Sequence, residues 1–126
     1  MAERFEIVEK ALLKMLEDKK YATLRDILVT MNPSDVAGLF TGLEDKQIPL
    51  MFRLLTKEQA AATFVEMEPD AQELLIRGFS DNELKEVVDE LYVDDAADLV
   101  EEMPANVVKR ILKSADPEMR FAINQI

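Results

Sequence analysis

The sequence predicts an all-α protein: a right-angled superhelix (α-solenoid) of short helices with a repeat of about 12 residues, preceded by two longer N-terminal helices. Three observations predict it. From Asn32 onward the chain divides into near-repeats of twelve residues. Apolar residues recur at the fifth, eighth, ninth and twelfth positions of each repeat, and spacings of 3, 4 and 7 draw one stripe along a helix. Three glycines and five prolines in 126 residues leave too little turn chemistry for an all-β fold.

The elements follow in order. A first helix is expected over Glu3–Glu17, with Phe5, Val8, Leu12, Leu13 and Leu16 as its stripe, and a second over Tyr21–Met31, with Leu24, Ile27 and Leu28. Residues 1–31 thus read as a cap on the stack, and residues 32–126 as the superhelical repeats of what is one domain overall. The repeats are NPSDVAGLFTGL, EDKQIPLMFRLL, TKEQAAATFVEM, EPDAQELLIRGF, SDNELKEVVDEL, YVDDAADLVEEM, PANVVKRILKSA and a shortened DPEMRFAINQI, whose stop in mid-repeat reads as a boundary rather than a natural terminus. Their eighth column is Leu39, Met51, Thr63, Leu75, Val87, Leu99, Ile111 and Ile123. Asn32, Thr56, Ser80 and Asp116 are good N-caps, and Pro33, Pro69 and Pro117 stand where a first helical turn accepts proline. Helices this short are unstable alone, so each must stack its stripe on neighbours, chiefly the adjacent units. Phe40, Phe52 and Phe64 recur at twelve and read as stacked core, as do Met31, Met51, Met67 and Met103.

Composition removes several classes of function. There is no His and no Cys, so the commonest general base, the commonest thiol nucleophile and the usual zinc ligands are missing. No phosphate-binding glycine loop occurs, and the chain is expected not to be an enzyme. A net charge of −11 argues against nucleic acid, whose phosphates need clustered Lys and Arg. No apolar run reaches the length of a membrane-spanning helix, and no signal peptide is visible at the N-terminus.

The acid is not spread evenly. Between Ser80 and Met103 ten carboxylates face a single Lys85, a local net charge of −9. In the unit YVDDAADLVEEM, Asp94, Asp95, Asp98, Glu101 and Glu102 fall within about 120° of a helical wheel, opposite Ala96, Leu99, Val100 and Met103. Most such faces are simply solvated. The alternative is cation binding. Carboxylates without His or Cys select hard ions, Mg²⁺ or Ca²⁺. No EF-hand loop is present. Mg²⁺ keeps several waters and needs only one or two carboxylates, so a flat face can hold it weakly while other ligands come from another domain or chain.

MNPSDVAGLFTGL (31–43), MEPDAQELLIRGF (67–79) and above all LYVDDAADLVEEMP (91–104) resemble the cytosolic N-terminal domain of the MgtE family of magnesium channels, over almost the whole chain. The resemblance implies a soluble regulatory segment on the cytoplasmic face of the cell membrane, part of an integral membrane protein in which CBS domains and a transmembrane pore follow. It implies a homodimer and a weakly bound regulatory Mg²⁺ that holds the N domain against the CBS domains and the pore shut. Carried over residue by residue, Asp94 and Asp98 match the acids that face the CBS domains, and Asp95 belongs to the same motif with a less defined role. A further metal-facing acid of some relatives falls on Ala62 here. The beat also resembles flagellar rotor switch proteins, which would make the chain a metal-independent interaction solenoid with a basic partner.

Overall fold

Four of the helices begin at a side-chain cap. The computed structural model describes the backbone of residues 2–125 and the side chains of residues 6–125. Among the described residues there are ten helices and no strand: α1 (Ala2–Glu17), α2 (Tyr21–Leu28), α3 (Pro33–Phe40), α4 (Gln47–Phe52), α5 (Lys57–Val65), α6 (Pro69–Gly78), α7 (Asp81–Glu90), α8 (Val93–Glu102), α9 (Ala105–Ser114) and α10 (Pro117–Gln125). From α5 onward every helix starts twelve residues after the last. The side chains of Asn32, Thr56 and Ser80 each accept a backbone N–H three residues on, and Ser80 with Glu83 completes a capping box. Asp116 caps α10 in the same way, accepting from the Met119 N–H at 2.9 Å.

Two boundaries depart from the sequence pattern. α4 begins at Gln47 rather than at the start of its repeat. Pro49 cannot donate, so it is tolerated in a first turn and not in a second. α2 ends at Leu28, short of Met31, and the following turn is closed by the Thr30 hydroxyl donating to the Ile27 carbonyl. Leu12, Leu16, Leu24 and Leu28 are buried as expected, but Val8 is 42% exposed. α2 is half the length of α1, so a helical hairpin between them covers only half of α1. The Phe5 side chain lies outside the described residues.

Every residue of the eighth column, Leu39 through Ile123, is buried. Phe52 meets Phe40, Phe64 and Phe79 at ring-centroid distances of 6.3, 6.2 and 5.5 Å. Leu12, Leu16, Leu24 and Leu28 share this core with the repeats, and the Gln59 amide of α5 donates to the Leu28 carbonyl at the end of α2.

Stacking has a longer period than the sequence repeat. α3, α5, α7 and α9 pack in one row, while α4 packs on α6 and α8 on α10. Short corners, of only two residues from α6 onward, leave successive helices little room to lie side by side, so each finds its main partner two units along, not in the adjacent unit.

Candidate metal-facing site

The register of α8 is fixed by what it buries. Ala96, Ala97, Leu99 and Met103 face the core, which turns Asp94, Asp98, Glu101 and Glu102 out to solvent. Asp94 and Asp98 are one turn apart on the same face. Asp95 is half-buried and faces a different way. It lines a cleft of about 500 Å³ together with Pro33, Ala62, Val65 and Tyr92. It also lines a smaller one of about 90 Å³ with Gln72, Asp98 and Glu102. Asp95 and Asp98 are thus brought to one small cleft, and Asp94 lines neither. Ala62 stands in the larger cleft with Asp95. Gln72 occupies a repeat position otherwise mostly apolar; it is buried, and its amide donates to the Phe64 carbonyl at 2.8 Å.

Nine of the ten acids of residues 80–103 fall into two groups that the sequence does not distinguish; the tenth, Glu86 of α7, pairs with no base among the described residues. On α7, Asp81 pairs with Arg110 (3.3 Å), Glu83 with Arg53 (3.0 Å), Asp89 with Lys85 (2.8 Å) and Glu90 with Lys57 (3.6 Å). Hydrogen bonds from the Arg53 guanidinium and then from the Ser80 backbone N–H hold the Glu83 carboxyl below the usual carboxylate range. On α8, none of Asp94, Asp95, Asp98, Glu101 and Glu102 has a cationic partner among the described residues. Lys85, the one base of the segment, is spent on Asp89. The single signal that could have separated the groups is the stacking period, because Lys57 and Arg110 come from α5 and α9, the helices on either side of α7.

Chemically the α8 donor set suits a hard, partly hydrated divalent cation: exposed carboxylate oxygens, with no nitrogen or sulfur ligand. Among the described residues no three acidic side chains converge on one point. A cation held at this face would need further ligands from elsewhere.

The family model for the MgtE intracellular N domain matches residues 31–126. The chain belongs to the MgtE intracellular N domain family. Two solved structures are similar to it. One is described as the cytosolic domain of the Mg²⁺ channel MgtE in complex with ATP, at 25% identity over 92% of this chain with a TM-score of 0.79. The other is the soluble part of a magnesium transporter, at 17% identity over 96% of this chain with a TM-score of 0.82; it shows the fold. The chain spans 48% of the length of each. No curated protein sequence matches. The superhelix of short helices expected from the sequence is therefore the MgtE N-domain fold, and among the described residues no helix is long and apolar enough to cross a membrane.

Proposed function

We propose that this MgtE N domain is a regulatory, non-catalytic sensor of intracellular Mg²⁺, working at the cytoplasmic face of the membrane within a dimeric transporter or channel. Residues 1–31 cap the superhelix, and residues 32–126 present its acidic face. Asp94 and Asp98 face the adjoining CBS domains across a weakly bound Mg²⁺, and Asp95 supports them from the cleft beside Ala62. Bound there, Mg²⁺ supplies the positive charge that lets two carboxylate surfaces approach. Without it the α8 face repels an acidic neighbour, the N domain swings away and the pore is free to open.

The observation that carries this proposal is the contrast between α7 and α8. Acid placed for solubility needs no particular pairing, yet four of the α7 carboxylates are matched to cations from three other parts of the fold and one of its own. The five on α8 are left with like-charged neighbours and no internal cation among the described residues. A basic partner could serve them too, as in a metal-independent interaction solenoid. The family membership and the Mg²⁺ named for the similar channel domain favour the ion.

Energetics require more than one site. Moving an equilibrium from 1:99 to 99:1 takes about 5.5 kcal/mol of differential binding, and one ion preferring one state tenfold supplies about 1.4 kcal/mol. Several ions per dimer satisfy this. The test is limited proteolysis of the full-length protein titrated with Mg²⁺ at constant ionic strength. D94A/D98A should lose most of the Mg²⁺-dependent protection, and a wild-type titration curve in that variant counts against these residues.

A further inference from the structure

The sequence of opposite charge does not stop at α8. The next helix, α9, buries Val107, Ile111 and Ala115. That register turns Asn106, Lys109, Arg110 and Lys113 onto one outward stripe. With Leu112 and with Arg120 of α10 they line a shallow groove of about 580 Å³. Its cations are differently engaged. Arg110 donates to the carbonyls of Ile76 and Phe79 and to Asp81. Arg120 donates to the carbonyls of Leu112 and Ala115 at 2.9 and 3.2 Å, neutral acceptors that leave its charge uncompensated. Lys109 and Lys113 have no carboxylate within ion-pair distance among the described residues. Of the two acids at the start of α10, Asp116 is used as its cap and Glu118 is exposed.

We infer that the α9–α10 groove is the metal-independent half of the domain's docking surface, and that its occupant is a carboxylate-rich face of the same adjoining module that α8 meets. The inference rests on the sensor role proposed above and deepens it. A divalent ion is needed between two surfaces only when both are acidic; a basic neighbour would neutralise α8 directly. The neighbour is therefore acidic. Area then extends the contact beyond α8. A ten-residue helix is about 15 Å long and about 10 Å wide, on the order of 150 Å² of face, whereas a stable interface covers about 800 Å² on each partner. A neighbour of that footprint centred on α8 reaches α9, which follows after a two-residue corner, and α10, which packs on α8. Lys109 and Lys113 then pair with its carboxylates directly. They supply residual attraction at zero Mg²⁺ and lower the ion concentration at which the assembly closes.

The test uses the full-length protein, with protease protection followed against Mg²⁺ at fixed ionic strength in wild type, K109E/K113E, K109A/K113A and D94A/D98A. Two exposed ion pairs, each of modest strength, shift the Mg²⁺ midpoint by about three- to tenfold. K109E/K113E should raise the midpoint by that factor, keep full protection at saturating Mg²⁺ and lose protection in metal-free, low-salt buffer. K109A/K113A should fall between it and wild type. Midpoint and metal-free baseline unchanged in both lysine variants, with D94A/D98A still defective, would overturn the groove and leave the sensor standing. A shift in the lysine variants with none in D94A/D98A would overturn the α8 site while the groove holds its partner alone.

Discussion

Asp98→Asn should make the metal-free chain more stable, which is unusual for a polar substitution on an ordinary helix. Asp98 has acidic neighbours at every adjacent surface position: Asp94 and Asp95 on the preceding turn, Glu101 and Glu102 on the next. None of the five is paired with a base among the described residues. Each like-charge pair at this spacing costs about 0.2–0.5 kcal/mol. Removing the central charge relieves four of them, and with allowance for screening at an exposed site the gain is about 0.5–1.5 kcal/mol. For a chain of this size that corresponds to a rise in Tm of about 2–5 °C. Asp89→Asn on α7 is the internal control. There the lost charge pairs with Lys85 at 2.8 Å, so the same substitution should lower Tm by about 1–2 °C. Thermal melts followed by circular dichroism in EDTA, at 20 mM and at 1 M NaCl, read both effects. A lower Tm for D98N, or a gain that survives 1 M salt, refutes the view that α8 carries uncompensated repulsion.

Two further outcomes can be checked on the same chain. Thr63 is fully buried in an otherwise apolar column, and its hydroxyl has no hydrogen-bond partner among the described residues; Thr63→Val keeps the shape, removes the unsatisfied group and should raise stability by about 1 kcal/mol in urea melts. Glu83 has a folded-state pKa held down by Arg53 and Ser80. Its stabilising share is therefore complete above the ordinary carboxylate range and lost as pH falls through the lowered folded value. Glu83→Gln should flatten the acid limb of a Tm-against-pH curve and leave its neutral plateau slightly lower.

The helical architecture was legible because it is a local property repeated many times. Caps at Asn32, Thr56, Ser80 and Asp116 and the buried eighth column need only neighbouring residues to specify them, and each repeat states them again. Where a local rule competed, the beat gave way: Pro49 delayed α4, and the short α2 left Val8 uncovered. The candidate site was legible only in part. That Asp94 and Asp98 share an exposed face follows from helical spacing alone. That Asp95 turns instead into a cleft shared with Ala62 depends on how α8 and α5 come to line the same cleft, which no window of sequence contains.

The pairing of the acids was hidden for a related reason, and its cause is the stacking period. α7 lies between α5 and α9, and from these it receives Lys57 and Arg110, with Arg53 reaching Glu83 from the end of α4. α8 stacks on α10, whose one basic side chain, Arg120, is committed to the backbone carbonyls at the end of α9. Two neighbouring helices of similar acid content thus inherit opposite electrostatic fates from the rows they join. Among the described residues the fold pairs four of the five α7 acids with bases and none of the five on α8. A charge that the domain itself could have balanced would report nothing about its surroundings; under the proposed sensor role, the unbalanced row is what would make α8 respond to a divalent ion.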